Sequence, residues 1–289
     1  MTFLENVDKA QLKKILLIVI SALTLIALAL LLVIIVLSID PKLPTKVDLE
    51  LEDTTVTDTQ LSEGALILAD AEHKYSPNTA LFVDCKTYRN AEMEKEGIDF
   101  NVKENLLYMP YTGMQLEANA MAALHTMLTD AAKANTKDGA ITIDAAYGRQ
   151  ENISANEEFN TGLLVFLSDK DSDSGAHIAI SKSYVSWFDD NAAKYGFVES
   201  FEYGYRYVGV AHAKYMTDEK LTLASYIEQL KKNTSAEKPL TVFGADGAEY
   251  AVYYSACVEG DTIKVPATAS YEISGTNEGG VIVTVKTTK

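Results

Sequence analysis

Residues 15 to 38 form an unbroken apolar run of 24 residues with no charge and no proline. As a helix rising about 1.5 Å per residue, the run reaches roughly 36 Å, more than a hydrocarbon core of about 30 Å. It predicts an N-terminal transmembrane helix. A secretory leader has an apolar region of only about 7 to 15 residues closed by small residues, whereas this run passes into Ile39, Asp40 and Pro41, so the uncleaved reading holds. Lys13 and Lys14 abut the run on its amino side, while Asp40, Asp48, Glu50 and Glu52 mix with Lys42 and Lys46 beyond it. The positive-inside rule then places residues 1–14 in the cytoplasm and the remainder outside the cell membrane as a single-pass ectodomain. No lipidation cysteine follows the run, which excludes a lipoprotein anchor.

The cytoplasmic tail carries three lysines against Glu5 and Asp8, so the whole of the formal charge of -16, and one charge more, resides in the ectodomain. An acidic surface has the wrong sign for the counterion release that drives nucleic-acid binding, so no nucleic-acid partner is expected. At 47% hydrophobic and 23% charged residues the composition is that of a folded chain.

Residues 39–61 combine prolines, threonines and scattered acids without periodicity and predict a stalk. Folded structure is expected from residue 62, with a short buried strand at Ala65–Ala69. Leu116, Ala120, Ala123, Leu124, Met127, Leu128 and Ala131 recur at helical spacing and predict a helix over 115–134. Further strands are expected at Ala140–Ile143, Gly162–Leu167 and His177–Ile180, and helices over 182–194, stopped by Gly196, and over 222–232. Lys238-Pro239 marks a change to short β-rich runs, Leu240–Phe243, Glu249–Tyr254, Thr262–Val265, Tyr271–Ser274 and Val281–Val285, separated by turn residues. The fold class expected is α+β: a domain over 62–235 with a small mixed or antiparallel sheet and helices, the N-terminal transmembrane helix, and a small all-β module over 236–289.

Few motifs carry chemistry. His73, His125, His177 and His212 never pair at the close spacing of a helical metal clip; His125 and His212 read as packed histidines. Asp169, Asp171, Asp173 and Gly175 suggest a calcium loop, yet the glycine stands one place late and Ile180 occupies the position of the bidentate glutamate. A solvated acidic turn is the better reading. There is no Gly-x-Ser-x-Gly nucleophile elbow and no phosphate-cradling loop. Cys85 and Cys257 exclude a thiolate zinc ribbon and leave one long-range disulfide undecided.

Five strings in order resemble the VanY-type D-alanyl-D-alanine carboxypeptidases, zinc enzymes that trim peptidoglycan stem peptides. Glu158-Phe159-Asn160-Thr161-Gly162-Leu163 is similar to that family's Glu-His-Gln-Thr-Gly-Leu, and Trp187 with Asn191-Ala192-Ala193-Lys194-Tyr195-Gly196-Phe197 to its Trp…Asn-Ala-x-Lys-Tyr-Gly-Phe. Arg206-Tyr207-Val208-Gly209 followed by Leu221-Thr222-Leu223 resembles the segment after the last zinc ligand. Ala145-Ala146-Tyr147-Gly148-Arg149 and Gly64–Asp70 are weaker echoes.

The resemblance implies zinc held by His-x(6)-Asp on one segment and by the histidine of Glu-Pro-Trp-His on another, whose glutamate is the base. Here the ligand positions fall on Phe159, Phe166 and Gly204, and the base position on Phe201. The expectation is therefore no metal, no catalytic residue and no cofactor: a pseudoenzyme whose cleft binds stem peptide, or which scaffolds an envelope protein partner. Tyr147, Arg149 and Gln150 on one wall, Asn160 and Thr161 on the floor and Tyr203 opposite are the candidate ligand-binding residues, with arginine suited to a terminal carboxylate. The alternatives are an active carboxypeptidase using displaced ligands such as His177 and its neighbouring aspartates, and a β-module that is itself the working part.

Overall fold

The computed structural model describes residues 17–21, 49–97, 107–108, 112–134, 141–150, 156–170, 177–178 and 180–287. The chain divides into two compact units, Met1–Lys46 and Val47–Lys289. Of the first, only Leu17–Ser21 is described, and it is helical. Among the described residues no helix is long and apolar enough to cross a membrane. The transmembrane helix expected over 15–38 is thus not shown, the rest of that segment lies outside the described residues, and the fold class is corrected to a mixed α/β fold with antiparallel sheets.

The second unit begins inside the expected stalk. Leu51–Thr55 is a strand, β1, and Asp58–Ser62 a short helix, α1, opened by a capping box between Thr57 and Gln60. Then follow β2 (Phe82–Asp84), α2 (Cys85–Lys95), β3 (Leu107–Tyr108), β4 (Gln115–Glu117), α3 (Ala118–Ala134), β5 (Ile141–Ala145), β6 (Leu164–Lys170), β7 (His177–Ile178), α4 (Lys182–Asn191), β8 (Phe197–Phe201), β9 (Gly204–Tyr207), α5 (Val210–Asp218) and α6 (Leu223–Asn233). Strands β10 (Leu240–Phe243), β11 (Glu249–Ala256), β12 (Thr262–Pro266), β13 (Tyr271–Gly275) and β14 (Gly280–Lys286) complete the chain. The central sheet runs β3-β5-β6-β9-β8, with β7 also on β6; a second runs β10-β11-β14-β13.

α3 forms where the apolar period is strongest. Leu124, Met127, Leu128 and Ala131 bury one stripe against Ile141, Ile143, Val165 and Leu167, and the Glu117 carboxylate accepts the orphan N–H groups of Asn119 and Ala120 at the helix start. The first residues of the predicted helix, 115–117, pair with β2 instead. α4 hands over to a 3-10 turn, Ala192–Tyr195, stopped by Gly196 at φ 84°, a left-handed backbone that glycine adopts without strain.

Leu66–Ala69 is buried as expected, with Ala65 half-buried, but the segment is no strand. Its backbone groups find other partners: Leu66 N–H donates to Ser274 Oγ, Leu68 N–H to the Thr276 carbonyl, and the Ala65 and Ile67 carbonyls accept from Arg206. The β-rich end is not separate either. β1 pairs with β12 from Leu51↔Pro266 to Thr55↔Thr262, and Lys264 Nζ meets Asp53 Oδ1 at 2.7 Å.

His212 on α5 shows how the β-rich end is tied on. It is 5% exposed; its Nδ1 bonds the Tyr226 hydroxyl on α6 at 2.9 Å and its Nε2 the Thr284 hydroxyl on β14 at 3.1 Å. Burial pushes the imidazole down to about 4. The unfolded chain takes up that proton near pH 6.5 and the folded chain only near pH 4, so His212 stabilises the fold above about pH 6.5 and loses that contribution as pH falls towards 4. Urea unfolding between pH 7 and 4 is expected to show this as a slope of at most about 1.4 kcal/mol per pH unit, reduced in His212→Gln; identical slopes in the two proteins would dismiss it.

Cys85 and Cys257 are free thiols buried in different clusters. Burial pushes the Cys85 thiol up to about 12, which suits a packed residue and not a nucleophile.

Candidate functional site

The four positions of interest come from four different places and meet. Across the central sheet Ala145 on β5 is paired with Phe166 on β6, Phe166 with Gly204 on β9, and Gly204 with Phe201 on β8. Directly opposed residues of antiparallel strands project to one face, so Phe166, Gly204 and Phe201 form a row. Phe159 enters from the 3-10 turn Glu157–Thr161 and is fully buried beside Ala145 and Leu164.

The Phe201 ring closes over the glycine and joins the other two phenylalanines. Phe201 stacks on Phe166 with centroids 6.1 Å apart and planes 14° from parallel, and meets Phe159 edge to face at 6.4 Å. A Cβ built on Gly204 would lie 2.5 Å from Cε1 and Cζ of Phe201, so the phenyl ring occupies the volume a side chain at Gly204 would need. A register shift between Glu199 and Phe201 and a tight connection through Tyr203, at φ 63°, turn Phe201 inward. These residues do not fit zinc: phenyl rings and a glycine offer no lone pair, and the space between them is filled. Among the described residues no three His, Cys, Asp or Glu side chains gather as a metal site.

Alongside the row, two residues further along β9, lies a cation. Arg206 on β9 is 1% exposed; Nη1 donates to Glu158 Oε1 at 3.3 Å, Nη2 to the Ala65 and Ile67 carbonyls at 3.1 and 2.9 Å, and Nε to the Tyr207 carbonyl at 3.1 Å. Ser200 Oγ donates to the other Glu158 oxygen at 2.7 Å. Burial pulls the Arg206 pKa down and Glu158 opposes that shift. The clamp binds the turn carrying Phe159 to β9 and to the 65–67 segment. Both residues stand in strings that carry the family resemblance, but their pairing across 48 positions had no local signal.

The expected ligand-binding residues divide. Tyr147 sits at a tight turn with Gly148 at φ 84°, Ala146 and Arg149 exchanging backbone hydrogen bonds, and its ring meets Phe82 edge to face at 5.0 Å. Arg149 and Gln150 follow, both half-buried. Asn160 Nδ2 donates to Glu157 Oε2 at 2.8 Å. Thr161 is consumed by the fold: its hydroxyl donates to the Glu158 carbonyl and accepts from Leu163 N–H, and it is buried. Tyr203 is half-buried against the main core, and its carbonyl accepts from Leu167 N–H.

The histidines take other roles. His125 is buried in α3 with Tyr88 at its edge, and burial lowers its pKa. His73 bridges Asp70 and Glu278 at 2.8 and 2.9 Å. The His177 side chain, Asp171, Asp173 and Gly175 lie outside the described residues.

No family model matches the chain. Two sequence relatives do: a D-alanyl-D-alanine carboxypeptidase of Enterococcus faecium, 35% identical over 112 residues that cover 34% of this chain and 35% of that protein, and the putative carboxypeptidase YodJ of Bacillus subtilis (strain 168), 27% identical over 178 residues that cover 50% and 63%. The chain thus spans about a third of the first relative and less than two thirds of the second. Among solved structures the D,D-dipeptidase VanXYg, crystallised with a D-Ala-D-Ala phosphinate analog, superposes with a TM-score of 0.60 at 18% identity, covering 82% of this chain and 99% of that one, which shows a shared fold. The chain is thus VanY-like: similar in sequence to carboxypeptidases over part of its length and alike in fold to a D,D-dipeptidase.

Proposed function

We propose that this VanY-like protein binds the peptidoglycan stem peptide outside the cytoplasm without hydrolysing it. The observation that carries this reading is the ring of Phe201 packed over Gly204 and against Phe159 and Phe166. Hydrolysis of the family type needs three protein ligands on an ion with one position left open, and a carboxylate base; four apolar positions supply neither. Tyr147, Arg149, Gln150, Asn160 and Tyr203 are the candidate contacts for the peptide. Arg149 suits the terminal carboxylate of a stem peptide, a charge-assisted contact that contributes about 1.5 to 3 kcal/mol.

Calorimetry of the full chain with a pentapeptide ending in D-Ala-D-Ala tests it. Saturable binding is expected, weakened about tenfold or more by Arg149→Met. No saturable heat, or equal affinity for the amidated pentapeptide, would overturn the reading.

A further inference from the structure

β13 is the outer strand of its sheet. Lys286 N–H donates to the Ser270 carbonyl, and facing residues of an antiparallel pair alternate between bonded and non-bonded. Glu272 and Ser274 therefore turn their backbone groups towards β14, and Tyr271, Ile273 and Gly275 turn theirs outward. Gly275 bears this out, its N–H donating to the Glu63 carbonyl at 2.8 Å. The outward N–H and C=O groups of Tyr271 and Ile273 have no partner among the described residues. An open strand edge is a template for another strand unless a fold blocks it.

This edge lines a cleft of ≈ 920 Å³ that also takes in Glu63, Glu117, Tyr207 and Lys286, and none of Phe159, Phe166, Phe201 or Gly204. Its charge is one-sided. Glu63, Glu117 and Glu272 face it against the single cation Lys286, whose Nζ is already held by Asp246 at 3.0 Å. Glu272 is exposed, and Glu117 stands at the start of α3, where its carboxylate accepts from the N–H groups of Asn119 and Ala120. The cleft thus offers two unpaired backbone positions for an extended chain and, with three carboxylates to one ammonium in its lining, an excess of negative charge for its side chains.

We infer that the cleft between β13 and the start of α3 takes an extended basic segment of a partner protein, which adds a strand to the Tyr271–Ile273 edge and sets a lysine or arginine against Glu117 and Glu272. Strand addition supplies affinity through main-chain bonds, and alternate side chains supply selectivity. The inference does not depend on the aromatic plug.

The test uses the full chain and three fluorescein-labelled peptides read by anisotropy: one alternating lysine with valine, its glutamate counterpart, and the lysine peptide N-methylated at every second residue. The lysine peptide is expected to bind about tenfold or more tighter than either of the others, and Glu272→Lys, a change at an exposed side chain, to weaken it by a similar factor. Arg149→Met should leave it unchanged, which separates this site from the stem-peptide cleft. Equal affinities, absence of saturation, or loss in Arg149→Met with retention in Glu272→Lys would overturn the inference. Displacement of the lysine peptide by the D-Ala-D-Ala pentapeptide would overturn it too, as would self-association broken by Glu272→Lys with no peptide bound.

Discussion

Arg206→Met is expected to remove about 3 to 5 kcal/mol of folding stability, the range for taking one partner from a buried charge pair. The arginine is 1% exposed and fully engaged by Glu158 and three carbonyls. Methionine fills much of the volume but donates nothing, so the Glu158 carboxylate keeps only Ser200, and the Ala65 and Ile67 carbonyls are left buried without their donor. Because those carbonyls belong to a segment that is not in a sheet, no ladder can take them over. Arg206→Lys should restore little, since one ammonium cannot reproduce the fork that reaches two chain segments at once. Urea unfolding checks both, and a loss below about 1 kcal/mol would mean that the clamp is dispensable.

The second large effect is a coupling. Gly204→Ala forces a methyl into the Phe201 ring at 2.5 Å from Cε1 and Cζ, an overpacking that costs about 1 to 3 kcal/mol. Phe201→Ala removes a half-buried ring and should cost about 2 kcal/mol, less than the about 3 to 5 kcal/mol of a fully buried phenylalanine. In the double variant the new methyl enters space already vacated, so the pair should cost no more than Phe201→Ala alone. That is a coupling of about 1 to 3 kcal/mol. Denaturation of the four proteins reads it directly, and additive costs would show that the ring does not fill the space above Gly204.

Much of the secondary structure was legible along the chain, and for a uniform reason. α3 and the strands β10 to β14 announce themselves by local period and by turn residues. β1 does not: Leu51-Glu52-Asp53-Thr54-Thr55 has one large apolar residue, and β12, more than 200 positions away, makes it a strand. Ala65–Ala69 misled for the converse reason. An apolar run reports burial, and burial here comes without a ladder because Arg206, Ser274 and Thr276 serve as the hydrogen-bond partners.

The site divides in the same way. That phenylalanines and a glycine stand at the ligand and base positions could be read from the family resemblance. That Phe166, Gly204 and Phe201 stand in one row across β6, β9 and β8, with Phe159 reaching Phe201 from a turn, is a fact of register and tertiary packing, which no single stretch contains. Thr161 could not be separated from its neighbours by residue type, because a hydroxyl in a cleft and a hydroxyl tying a turn look alike until the turn is seen.

Binding without cleavage is tested by the fate of the peptide. The D-Ala-D-Ala pentapeptide is incubated with saturating full-length protein and added zinc, and free D-alanine is quantified by mass spectrometry against a protein-free control. An intact peptide and D-alanine at the control level are expected; release that grows with protein concentration and is abolished by a chelator would contradict binding without cleavage.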